Sequence, residues 1–193
     1  TRMHDRRSGD PQEAPARLPQ LGTRTPVLSH DGRDLAAAWQ TIQEIGDPGA
    51  LEDAVADAFP GASVSVHADD GRFSLMFDQQ GLLRPLSATE LSDGTLRYLL
   101  WIAALHTPRP PELMVLNEPE TSLHPDLLPA LARLIATASR RCQVWVVSHA
   151  PRLIAALESE AECNTLQLEK RLSQTGLAGQ GLLDAPAWYW PER

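Results

Sequence analysis

LMVLNEPETSLHP, residues 113–125, is the stretch on which the fold turns. Four consecutive apolar residues, Leu113 to Leu116, run into Asn117, Glu118, Pro119 and Glu120. A short continuous apolar run, as opposed to an alternating one, is the pattern of a strand covered on both faces by helices. Proline disfavours the helical conformation in the residue before it, so Glu118 is expected to stay extended at the carboxyl edge of the sheet. Open α/β folds bind ligands at that edge. A carboxylate there either orients or deprotonates an attacking water, or caps the helix that follows, since helix N-termini favour acids.

Working outward, VWVVSHAP (residues 144–151) repeats the pattern: a second continuous apolar run ends in Ser148-His149 and is followed by Ala150-Pro151. Proline is tolerated in a first helical turn, which places His149 at a strand-to-helix turn on the same edge as Glu118. The imidazole either contacts a phosphate or the attacking water, or serves as a cap or packing residue. Between the two runs, Leu128, Leu131, Ile135 and Ala138 have helical spacing. Upstream, LSDGT (residues 91–95) introduces a helix whose face carries Leu96, Leu99, Leu100, Ala103 and Ala104. Ser92 and Asp93 suit a cap, Gly94 permits close backbone approach, and free N–H groups at a helix start form an anion site. The order helix, strand, helix, strand, helix reads as right-handed βαβ winding in a mostly parallel sheet flanked by helices.

Further upstream, Leu35, Ala38, Trp39, Ile42 and Ile45 define a helix ended by Gly46 and Pro48, and a second helix covers residues 50–59. Residues 63–67 and 72–77 alternate around Asp69-Asp70-Gly71, a hairpin signal. This is a small α+β insertion ahead of the LSDGT helix. A strand at residues 165–168, a Gly-rich turn near residues 176–181 and an aromatic cluster at Trp188, Tyr189 and Trp190 complete the chain. The cluster is read as packing at a terminus in preference to a base-stacking surface.

The expected organisation is a flexible basic linker or arm over residues 1–26, then one lobe over 27–193, divided into the α+β insertion (27–90), the motif-bearing core (91–160) and a terminal strand and tail (161–193). The formal charge of −8 argues against a broad nucleic-acid-binding face. Residues 1–26 run against this balance, with five arginines and three acids; the segment is read as a polar linker ahead of a DNA-touching arm. Cys142 and Cys163 lack a Cys-x-x-Cys partner and are expected to be plain thiols of a reducing compartment. No apolar run approaches the roughly 18 residues of a membrane span, and a cytoplasmic location is expected. The start at Thr1 and the late onset of periodicity suggest the C-terminal part of a longer polypeptide.

Ser92, Glu118 and His149, spaced 26 and 31 residues apart, together resemble the signature motif, Walker B strand with its D-loop, and switch histidine of an ABC-type ATPase head. The likeness is to the AAA family of such heads, which includes DNA-repair and chromosome-organising (SMC) ATPases and the ATPase portions of overcoming-lysogenization-defect nucleases, and not to a transporter subunit. It implies the C-terminal lobe of a P-loop NTPase that binds ATP between two heads. Glu118 and His149 would then be catalytic, as general base and γ-phosphate sensor. Ser92, Asp93, Gly94 and Thr95 would contact ATP held by a partner head, and Thr121, Ser122 and His124 would belong to the D-loop. Asn117 stands where the family has a magnesium-holding acid and offers a neutral carbonyl only.

The implied cofactors are ATP and Mg2+. The implied partners are an N-terminal Walker A half, a second head in a homodimer, and DNA through the parent protein. A P-loop requires Gly-Lys-Ser/Thr, and the one lysine here is Lys170, between Glu169 and Arg171. The lobe alone is therefore expected to be inactive, in a parent that is an ATPase. A non-hydrolysing ATP-binding or protein-interaction module, and the engine of a DNA-repair or nuclease system, are the alternatives.

Overall fold

The computed structural model describes residues 15–29, 31–171 and 174–178. Two units divide the chain, residues 1–161 and 162–193.

In the first unit, helix α1 (Leu35–Ile45) buries Leu35, Ala38, Trp39 and Ile42, the stripe set by their spacing. It stops where the Gly46 N–H bonds the Ile42 carbonyl at 2.8 Å. Helix α2 (Pro48–Ala58) starts at Asp47, whose carboxylate accepts from the Ala50 N–H at 3.0 Å, with Pro48 in the first turn. It begins two residues earlier than expected because Pro48 opens the helix as well as ending the one before it.

Strands β1 (Gln20–Leu21), β2 (Ala62–Asp69), β3 (Arg72–Gln79) and β4 (Leu86–Ser87) form an antiparallel sheet in which β3 pairs with all three others. The β2–β3 turn pairs Asp69 with Arg72 across Asp70 and Gly71, at φ 44° and 71°. Two consecutive left-handed residues are what a two-residue hairpin turn of right-handed twist requires. Helix α3 (Asp93–Leu105) follows, with Ser92 as its N-cap.

Strand β5 (Leu113–Asn117) and strand β6 (Gln143–Val147) pair in parallel, joined through helix α4 (Leu128–Ser139); helix α5 (Pro151–Glu160) follows β6. Among the described residues this is the parallel pairing, so the mostly parallel sheet expected from the sequence is here a two-stranded ladder. Nor are both faces covered. In register, Met114 lies beside Val144 and Leu116 beside Val146 on the packed side, whereas Val115 lies beside Trp145 and Asn117 beside Val147 on the other. Trp145 is 59% exposed and Val147 is 52% exposed. The apolar run predicts burial on both faces, and only one of its faces is packed by described residues.

The core joins the helices to the antiparallel sheet. Trp39, Tyr98, Leu99, Ile102, Leu131 and Leu153 are essentially solvent-free. Phe59 meets Phe77 and Tyr98 edge-on, with ring centroids 5.6 and 5.5 Å apart, a favoured aromatic geometry. Burial pushes the Tyr98 phenol well above its ordinary pKa, with Asp57 adding to the rise.

The segment 1–26 is not a free arm throughout. Its described part, from Pro15, is built into the unit through a 3-10 turn (Pro15–Arg17) and β1, and Arg17 is buried. Arg2, Arg6 and Arg7 lie outside the described residues.

In the second unit, β7 (Leu168–Arg171) and β8 (Gln174–Leu177) form an antiparallel hairpin. The strand expected at 165–168 thus starts at Leu168, and Gly176, read as turn, is a strand residue opposite Glu169. Trp188, Tyr189 and Trp190 lie outside the described residues. Both cysteines are free thiols. No helix among the described residues is long and apolar enough to cross a membrane.

Candidate functional site

The carboxyl ends of β5 and β6 bring Glu118, Glu120 and His149 together. Glu118 is at φ 46°, left-handed and not extended as Pro119 suggested. Its backbone explains why. The Glu118 N–H continues the sheet ladder to the Val147 carbonyl at 2.7 Å, while its own carbonyl accepts from the Thr121 N–H at 3.1 Å. A chain that must leave the ladder and close a turn at the same residue is forced into a sparsely populated region, at about 1–3 kcal/mol. Ser122, at φ 64°, is the second such residue in this turn.

The turn is held from three directions. Buried Trp101 of α3 donates its indole N–H to the Pro119 carbonyl at 3.1 Å. The Leu123 N–H bonds the Glu120 carbonyl at 3.0 Å. Glu120 Oε1 accepts from Ser148 Oγ at 2.7 Å and from the His149 N–H at 3.2 Å. His149 Nδ1 then stands 3.8 Å from Oε1 of both Glu118 and Glu120. The Glu118 side chain is 50% exposed and the imidazole 76% exposed, whereas Glu120 is 9% exposed. A carboxylate open to water beside an imidazole can align and accept a proton from a water molecule; Glu120 has no such access.

The LSDGT residues sit at the start of α3. Ser92 Oγ accepts from the Thr95 N–H at 3.1 Å and lies 2.8 Å from Thr95 Oγ1, so the serine does cap. Gly94 backs onto the turn just described: a Cβ added there would lie 2.9 Å from the Ser122 carbonyl oxygen. The first requirement for glycine is thus contact within this chain.

Asp93 pairs with Arg17, whose guanidinium also donates to the carbonyls of Ala88 at 2.9 Å and Leu91 at 2.8 Å. Arg17 therefore ties down the loop that leads into α3. On the same loop, the Arg84 guanidinium, helped by the N–H and hydroxyl of Ser87, holds the Glu90 carboxyl down at about 2.

Thr121 and Ser122 belong to the acidic turn itself. His124 follows that turn: its Nδ1 accepts from the Asp126 N–H at 3.3 Å, and Arg152 of α5 reaches Asp126 at 3.3 Å. Asn117 ends β5 opposite Val147. No cluster of three or more His, Cys, Asp or Glu among the described residues has the arrangement to hold a metal. One neutral carbonyl is a poor fit to an all-protein Mg2+ site, since that ion demands near-octahedral oxygen coordination.

Three residues of this site escaped the sequence reading. Glu120 left a signal, the second acid of Glu-Pro-Glu, whereas Arg17 and Trp101 act over long sequence distances that leave none.

Residues 5–155 match the family described as "AAA domain, putative AbiEii toxin, Type IV TA system". No curated protein matches the sequence. Among solved structures, the chain is similar to an SMC ATPase from work on ATP-driven dimerization and DNA-stimulated activation (TM-score 0.59, 14% identity, 76% of this chain and 87% of that one). It is also similar to the Smc head domain with coiled coil and joint from Pyrococcus yayanosii (0.58, 16%, 75% and 28%). A third likeness is to the SMC head domain of Thermotoga maritima (0.52, 16%, 75% and 50%). The chain spans half or less of the length of the last two. At these identities the likeness is one of fold. With most of its length matched by the family, the chain belongs to the AAA domain family of nucleotide-binding ATPase modules, and it folds like an SMC ATPase head.

Proposed function

We propose that this chain is the signature-bearing lobe of an ABC-type ATPase, working with a Walker A lobe and a second head that sandwich ATP. The observation that carries the reading is the placement of Glu118 Oε1 and His149 Nδ1, 3.8 Å apart, at the carboxyl edge of two parallel strands. Glu118 orients the attacking water and takes its proton; His149, also open to solvent, reads the γ-phosphate. The start of α3, with Ser92 to Thr95, faces nucleotide held by the partner head, and Thr121 to His124 link the two sites.

Two further observations support it. The 193 residues hold no Gly-Lys-Ser/Thr, so the phosphate cradle is assigned to another segment of polypeptide. The face of β5 and β6 that no described residue packs, with Leu113, Trp145 and Val147 exposed, suits such a segment as its cover. Magnesium, when bound with ATP, would neutralise phosphate charge, and Asn117 would offer it a neutral carbonyl only.

The test is steady-state Mg·ATP hydrolysis by the lobe assembled with its Walker A half, wild type beside Glu118→Gln, with light scattering on the same samples. Hydrolysis reduced about 10²- to 10⁴-fold in a variant that still dimerises on ATP is the expected result. Asn117 favours one other reading, a nucleotide-binding or interaction module that does not hydrolyse; absence of turnover in the wild type would establish it. Coupling to DNA repair or to a nuclease is tested by adding DNA to the same assay.

A further inference from the structure

Glu120 has no task in the reaction above, yet it is far more enclosed than Glu118 beside it. One of its oxygens, Oε1, receives the Ser148 hydroxyl and the His149 N–H, while Oε2 is buried with no hydrogen-bond partner among the described residues. Keeping a carboxylate there with half its acceptors unused is costly, and a strand-end turn needs no buried acid in order to fold.

What the carboxylate does reach is informative. Ser148 Oγ, while donating to Glu120, accepts from the Ala150 N–H at 3.1 Å. A single carboxylate on the β5 side thereby orders the three residues that turn the chain from β6 into α5. Of these, His149 is the one whose side chain lies beside Glu118. On its own side Glu120 is fixed by backbone, through the Leu123 N–H on its carbonyl and the Trp101 indole on the carbonyl just before it. The gap between imidazole and catalytic carboxylate is bridged through Glu120, across two strand ends that the sheet ladder otherwise joins only as far as the Glu118 N–H.

We infer that Glu120 is a positioning residue: it never meets substrate, and it sets the spacing of His149 from Glu118 by holding Ser148 to Ala150 against the β5 turn. The kinetic half of this inference rests on the ATPase reading above; the structural half does not. Misplacing a reacting group by about 1 Å can cost about 10²-fold in rate, whereas nucleotide affinity is made elsewhere.

The experiment has two arms. Amide hydrogen exchange at His149 is measured on this chain for wild type, Glu120→Ala and Glu120→Gln. Then kcat and KM for ATP are measured with the same variants assembled with the Walker A half. Glu120→Ala should speed His149 exchange about tenfold, the worth of a hydrogen bond to a charged group. It should also lower kcat about 10²-fold with KM changed less than about twofold. Glu120→Gln, which keeps an oxygen for both donors, should recover most of each effect. Should Glu120→Ala fail to fold, Ser148→Ala cuts the same link from the other strand and is read by the same measurements. Unchanged exchange at His149, a fall in kcat matched by a rise in KM, or no recovery in Glu120→Gln would overturn the inference. If the wild-type assembly does not hydrolyse ATP, the ATPase reading fails, and His149 exchange alone still decides whether Glu120 positions this turn.

Discussion

The hairpin turn at Asp70-Gly71 and the acidic turn at residues 118–122 both place non-glycine residues at positive φ, 44° at Asp70 and 46° at Glu118. They are held there by different means. Asp70 sits in a two-residue turn whose twist the flanking strands impose, and aspartate tolerates that region through its short polar side chain. Glu118 has no such local licence. Its conformation is imposed from a distance by the Val147 carbonyl and, through the rest of the turn, by Trp101 and Glu120. Where strain is kept in place by distant parts of the fold, a functional constraint is the natural reason.

The largest expected effect separates the two turns outright. Glu118→Gly relieves left-handed strain of about 1–3 kcal/mol against about 1 kcal/mol of added chain entropy. It should therefore stabilise the fold by about 1 kcal/mol while hydrolysis by the assembled ATPase drops about 10²- to 10⁴-fold. Asp70→Gly should change neither quantity appreciably. Paired thermal melts and turnover assays decide; a destabilised Glu118→Gly protein would mean that the left-handed backbone carries no strain.

Support from a distance should also cost more to lose than support from nearby. Arg17→Met leaves the Ala88 and Leu91 carbonyls without their donor, at about 3 kcal/mol in all. Asp47→Ala removes only the local cap of α2, about 1 kcal/mol. Denaturant midpoints at constant m-value measure both, and equal losses would erase the distinction.

The glycines make the same comparison in steric form. Gly94→Ala drives a methyl group against the Ser122 carbonyl, which is backbone and cannot swing aside, so a loss of about 1–3 kcal/mol is expected. Gly71→Ala meets open space and should cost only the left-handed penalty, about 1 kcal/mol. Only the first should also slow hydrolysis, because only it displaces the acidic turn.

The smallest expected effect lies at the far end of α3. Burial, with the Arg141 charge nearby, pushes the His106 imidazole below its ordinary 6.5. The folded chain thus resists a proton that the unfolded chain accepts. This contribution is fully present above pH 6.5 and is lost as pH falls from there through the lowered folded value. Melting temperatures of wild type and His106→Gln should converge or cross between pH 7.5 and 5, and parallel curves would show that His106 does not titrate differently on folding.

Much of this architecture could be read from residues whose message is local. Trp39 and Ile42 marked the buried face of α1, Gly46 and Pro48 its end, and Asp70-Gly71 the hairpin. Ser92, Glu118 and His149 were recognisable because each stands at an element boundary with its own punctuation. What stayed hidden depended on contacts between remote segments. Nothing in the surroundings of Arg17 announces that it donates to carbonyls more than 70 residues away, and it lay in a stretch whose composition suggested a linker. Pro119 spoke for an extended Glu118, and the tertiary hydrogen bonds outweighed that preference. The apolar run 113–116 spoke for two packed faces, because side-chain type reports the cover a strand is made for and not the cover that the described residues supply.

The exposed face of β5 and β6 gives the molecule a built-in optical reporter. Trp39 and Trp101 are sealed in the core, whereas Trp145 looks out into water. A layer of protein laid over that ladder would strip solvent from its indole and move its emission toward the blue, while leaving the two buried tryptophans as they were. With Trp188 and Trp190 replaced by phenylalanine, assembly with a partner lobe would be followed in real time without a label.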